Sequence, residues 1–199
     1  MKYLITFEDS LNILFDNKKW VEILKENFAV IKNIINRYYA FLIAITVLLV
    51  DQTIKSIISQ NMLLNEKITI LNNFLSITKI YNTGAAFGIF ENKTLYLAIF
   101  SVFVIISISV YLVKTYKSQN FLNTVAWGLV LGGTIGNFID RLSLGYVLDF
   151  IRLDFVNFPI FNIADMSINC GAALLIAYIL FASNDNPQQA EIKNQLIHD

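Results

Sequence analysis

Charge is scarce in this chain, and residues able to hold a metal or a disulfide are scarcer. Of 199 residues, 15% are charged and 56% hydrophobic, against about 25% charged in soluble domains, so the balance leans toward lipid. The one cysteine, Cys170, cannot form an internal disulfide and is expected to pack as a small apolar residue. The one histidine, His198, sits in a polar tail. That excludes a zinc site of the H-E-x-x-H kind and a Ser-His-Asp triad. No metal or other cofactor is expected. Formal net charge is zero, which points to no class of partner by itself, and no nucleic-acid partner is expected.

Long apolar runs are what the chain does have. Four windows approach the roughly 20 residues that cross a bilayer: Tyr38–Ile58, Thr94–Val113, Phe121–Ile139 and Phe161–Ala182. Buried helices of a soluble bundle would need polar outer faces, and Thr94–Val113 offers only scattered Ser and Tyr. The first apolar run starts far from Met1 and lacks a small-residue cleavage site, so no cleaved leader is expected. Lys18, Lys19, Lys25, Lys32 and Arg37 precede the first window, and Lys114 and Lys117 lie between the second and third. By the positive-inside rule these segments, and with them both termini, face the cytoplasm.

The expected architecture is a membrane all-α, four-transmembrane-helix bundle with a small extracytoplasmic β-sheet. Residues 1–37 form a cytoplasmic amphipathic segment, 38–182 the membrane domain and 183–199 a polar cytoplasmic tail. In the first segment Trp20, Ile23, Leu24, Phe28, Ile31 and Ile35 recur at helical spacing, a pattern suited to lying on the leaflet. The stretch "KITILNNFLSITKIYNTGAAFGIF" after the first span is rich in Ile, Thr and Phe around Asn72–Asn73 and predicts short strands about a turn.

Polar residues gather at a few places. Asp51 and Lys55, four apart on the first span, have the better order for a helical ion pair. Asn137, Asp140 and Arg141 share one face at the end of the third span; Asp140 needs a cation, Arg141 or Lys55, beside it. Asn162 and Asp165 open the fourth span. Asp149 lies on the connector, among Val147, Leu148, Phe150 and Ile151, where it can fold back toward Asp165.

Two close carboxylates cannot both ionise, so one keeps a proton while the other acts as base. Such a pair activates water against a carbonyl and later protonates the leaving amine. A serine–lysine pair would need Ser143 or Ser167 to meet Lys55 or Lys79. A proton channel or transporter would spread acids through the membrane's depth and show repeats, whereas these acids gather on one side. An inactive assembly factor would leave Asn82, Asn137 and Asn162 unexplained.

"DQTIK" at Asp51–Lys55, "YNTGAAFGIF" at Tyr81–Phe90, "GGTIGNFIDRLSLGYVLDFI" at Gly132–Ile151 and "FNIADMSINCG" at Phe161–Gly171 resemble lipoprotein signal peptidase, also called signal peptidase II. The resemblance spans about Tyr38 to Ala182, in the same order; the stretch before Tyr38 is longer than that family needs. It implies a bacterial aspartic endopeptidase of the cytoplasmic (inner) membrane, acting near the outer face as a monomer among membrane lipids. The implied substrates are diacylglyceryl-modified prolipoproteins, cut on the amino side of the modified cysteine. The catalytic pair falls on Asp149 and Asp165. Asp51, Lys55, Asn82, Gly84, Asn137, Asp140, Arg141, Asn162 and Ala164 match positions that shape the site or hold substrate.

Overall fold

The computed structural model describes residues 17–85, 89–115 and 120–182. Residues 1–16 of the expected amphipathic segment, and the expected tail 183–199 with His198, lie outside the described residues.

Helix α1 spans Asn17–Asn61, 45 residues, about 68 Å at the rise of an α-helix. It passes from residue 37 to 38 without a break, because no proline or glycine between Asn17 and Asn61 could stop it. Helices α2 (Thr94–Thr115), α3 (Phe121–Ser143) and α4 (Ile163–Ala182) follow. With the Tyr38–Asn61 part of α1, four helices among the described residues are long and apolar enough to cross a membrane. Leu49, Phe103, Ile106, Ile179 and Phe181 are exposed on their outer faces. That inversion of the soluble pattern suits a lipid surround.

Helix α3 is the hub, packing against α1, α2 and α4. Its glycines make the approach close enough to bring polar groups together. A Cβ on Gly136 would meet Asp51 Oδ2 at 2.7 Å, and one on Gly133 would run into the Ala164 carbonyl of α4.

The sheet is antiparallel in the order β1-β2-β3, with β1 at Lys67–Leu71, β2 at Leu75–Asn82 and β3 at Val147–Leu153. The β1–β2 hairpin turns at Asn72–Phe74, with Asn73 at φ 57°, a conformation asparagine tolerates. The third strand corrects the reading of 147–153 as a connector. Val147, Leu148, Asp149 and Phe150 are all buried, and a strand covered on both faces shows no alternation of apolar and polar residues. Lys79 on β2 donates to the Ser59 and Met62 carbonyls at 2.7 and 2.8 Å. It thereby ties the sheet to the C-terminal end of α1, where a cation suits the unpaired carbonyls.

After β3 the chain doubles back. Ile151 and Phe161 exchange backbone hydrogen bonds of 2.8 and 3.1 Å, which sets the start of α4 beside β3. Cys170, expected to be packed, is exposed on α4.

Candidate active site

A buried ion cluster braces one side of the site. Lys55 Nζ lies 2.8 Å from Asp51 Oδ2 and 2.9 Å from Asp140 Oδ2. It also donates to Asn137 Oδ1 at 3.2 Å. Asp51 Oδ1 accepts the Ala164 backbone N–H at 3.0 Å, a negative charge in the first turn of α4, where the helix dipole favours it. Asp140 Oδ2 also accepts the Leu148 N–H at 3.2 Å, which fixes the residue preceding Asp149. Of the two cations expected near Asp140, Lys55 is the one in contact.

Asn162 and Asp165 form a capping box at the start of α4. Asn162 Oδ1 accepts the Asp165 N–H at 2.9 Å, and Asp165 Oδ2 accepts the Asn162 N–H at 3.2 Å. The Asn162 amide then reaches outward, donating to Asp149 Oδ1 at 2.7 Å and Asn137 Oδ1 at 3.0 Å. Asn137 donates to Asp165 Oδ1 at 2.7 Å. Asn82, at the end of β2, donates to Asp149 Oδ2 at 2.8 Å, while its own Oδ1 accepts the Gly84 N–H at 2.9 Å. Gly84 is buried, and a Cβ there would come within 2.8 Å of the Ile89 carbonyl. Each of the three amide oxygens faces an N–H donor, so the orientation of each amide is set by the network.

The two aspartates therefore stand on either side of Asn162 and line one cavity of about 430 Å³. Arg141 lines it too, half-buried, within electrostatic reach of Asp165, Asp149 and Asp140. Its Nε has no hydrogen-bond partner. Burial, and then the charge of Asp165, push the Asp149 carboxyl up to about 7, against the pull of Asn82, Asn162 and Lys55. From the carboxylates the cavity runs between apolar side chains of α2, α3 and α4, including Phe100, Val104, Val130 and Ile168. The carboxylates are occupied by amide, ammonium and backbone N–H donors. Among the described residues no group of three or more His, Cys, Asp or Glu is placed to hold a metal.

The structure also recruits residues that sequence reasoning did not single out. Gln52 Nε2 donates to Asp140 Oδ1 at 2.9 Å and to the Gly136 carbonyl at 3.2 Å. Its only sequence signal is adjacency to Asp51. The serine–lysine alternative is overturned by geometry. Lys55 and Lys79 are engaged as described, and Ser143 and Ser167 donate to carbonyls of their own helices at 2.7 and 2.9 Å.

Four spanning helices, a roof of three strands and a cavity ending on paired carboxylates define a multi-pass membrane enzyme. The family model described as Signal peptidase (SPase) II matches residues 43–181. The lipoprotein signal peptidase of Lactobacillus gasseri is 41% identical over 141 residues, 71% of this chain and 91% of that one. Its counterpart from Enterococcus faecalis is 40% identical over 140 residues, 70% and 86% of the two chains. A solved bacterial membrane enzyme, determined in meso at 2.3 Å, superposes with a TM-score of 0.68 at 37% identity, covering 74% of this chain and 92% of that one. The chain belongs to the signal peptidase II family, and is thus an aspartic endopeptidase of bacterial membranes.

Proposed function

We propose that this enzyme removes signal peptides from prolipoproteins, cutting on the amino side of a diacylglyceryl-modified cysteine, with Asp149 and Asp165 as its catalytic pair. The observation that carries the assignment is the double role of Asn162. Its side chain bonds Asp149 while its backbone bonds Asp165, so both acids are held on the wall of one cavity. The two other buried acids beside them, Asp51 and Asp140, are consumed by Lys55 and by the backbone N–H groups of Ala164 and Leu148.

Asp165, in the first turn of α4, is the member suited to carry negative charge; Asp149, pushed up to about 7, is the member suited to hold a proton. A water between them loses a proton to Asp165 as its oxygen attacks the scissile carbonyl carbon. Asp149 gives its proton to the carbonyl oxygen. The tetrahedral diol then collapses: Asp149 takes back a proton from one hydroxyl as the carbonyl re-forms, the amide nitrogen takes a proton from Asp165, and the C–N bond breaks. The Asn82, Asn137 and Asn162 amides donate to the two acids, which leaves the Arg141 guanidinium, at the cavity wall, as the donor to meet a substrate carbonyl.

The positions of lysine before Tyr38 and after Val113 support cytoplasmic termini, which puts the sheet and the aspartates near the outer face. All the groups named come from one chain, in keeping with a working monomer surrounded by membrane lipid. Residues 38–182 serve as the peptidase domain, with 1–37 and 183–199 as appendages.

The test is purified protein in lipid, given a diacylglyceryl prolipoprotein without metal or nucleotide. The expected product begins at the modified cysteine, and unlipidated precursor stays whole. Intact lipidated precursor, or a cut elsewhere, would overturn the reading.

A further inference from the structure

One polar side chain of the cavity has no task in this chemistry. Asn169 lies four residues past Asp165 on the same face of α4, about 6 Å deeper at helical rise, within the span Ile163–Phe181. It lines the cavity together with Ser101 of α2 and Thr134 of α3. Those two hydroxyls donate to carbonyls of their own helices, Leu97 at 2.9 Å and Val130 at 2.7 Å. Asn169 is exposed at the cavity wall, and no described residue bonds it. An unpaired amide at that depth is costly, so a ligand with free acceptors is the economical partner.

The acceptors available there are few. A signal peptide still helical at this level has its carbonyls bonded internally. Hydrocarbon tails carry none. Ester oxygens accept without donating, and the amide offers two donors. We infer that Asn169 binds an ester carbonyl of the diacylglyceryl group on the substrate cysteine and so sets a preference for ester-linked lipid. The inference rests on the function proposed above. A glycerophospholipid resident in the cavity carries the same ester chemistry, and the experiment separates the two sources.

Two synthetic lipopeptides of identical sequence are compared, one with an ester-linked diacylglyceryl cysteine and one with the ether-linked dialkylglyceryl form. Wild-type protein is expected to favour the ester by about fivefold in kcat/KM, the weight of one hydrogen bond. Asn169→Leu and Asn169→Ala should each bring that ratio close to one. A structural role would slow both substrates alike and leave the ratio unmoved, which overturns the inference. So does a wild-type enzyme blind to the difference, or a preference that survives both substitutions because Asn169 bonds a resident lipid. If wild-type protein cleaves neither lipopeptide, the peptidase reading itself falls, and this inference with it.

Discussion

Asn162 and Asp149, thirteen residues apart, are joined by a 2.7 Å hydrogen bond from the Asn162 amide to Asp149 Oδ1. Through the capping box the same residue holds Asp165. One helix cap thus sets the relation between the two acids.

Replacing either acid by asparagine should stop the reaction. Asp149→Asn and Asp165→Asn are each expected to lower kcat by at least about 10³-fold, near the upper range for a proton-transferring group. Membrane insertion should persist, as followed by folded yield in detergent. Full activity in either variant would remove that residue from the pair.

The raised Asp149 carboxyl gives a sign to the pH dependence. The folded state holds a proton that the unfolded chain releases near 3.8, so it binds more protons between about pH 4 and pH 7. Stability therefore falls as pH rises through that window, and the penalty is complete above about 7. Moving a carboxyl from 3.8 to about 7 corresponds to on the order of 4 kcal/mol. Thermal unfolding across the window should show the decline, and Asp149→Asn should flatten it. Activity should fall on the alkaline side with a midpoint near 7, as Asp149 loses the proton it must donate; a rate still rising beyond pH 8 would contradict the assignment.

Lys55 is expected to matter for stability first. Lys55→Met leaves Asp51 and Asp140 buried without their cation, a loss of about 3–5 kcal/mol. Lower folded yield and melting temperature would register it. Asp140→Asn keeps Lys55 paired with Asp51, so partial activity is expected from a less stable protein. Complete loss with a normal fold would make Asp140 a candidate for the chemistry.

The α1–α3 contact offers a test of spacing. Gly136→Ala places a methyl group 2.7 Å from Asp51 Oδ2, closer than contact allows, so Asp51 or the helix must move. Overpacking of this kind costs about 1–3 kcal/mol, and kcat is expected to fall with the displaced network. Gly145→Ala, where a Cβ would have open space but φ is +79°, should cost only local backbone strain and leave kcat alone.

Much of this was legible in the sequence because membranes simplify the code. Length and apolarity alone mark Tyr38–Ile58, Thr94–Val113, Phe121–Ile139 and Phe161–Ala182, whose ends fall within a few residues of the helical spans. Charge inside such segments is rare enough to mark Asp51, Lys55, Asp140 and Asp165. Strand β3 was not legible, since burial on both faces erases the period that announces a strand. Nor was Gln52, whose partners lie 84 and 88 residues away, because a pairing of that range leaves no local pattern. Asn169 sits inside the run "FNIADMSINCG", yet only the cavity gives it meaning.

The oxygens of the Asn82, Asn137 and Asn162 amides point at Gly84 N–H, Lys55 and Asp165 N–H, so these side chains offer the carboxylates hydrogens and nothing else. A hydrogen resting on Asp149 finds no acceptor among them and, in the proposed mechanism, is left for the substrate. The ammonium of Lys55, which never meets the bond being cut, helps give the chamber this one-way polarity. An arrangement of donors alone turns a symmetric pair of acids into a directed one.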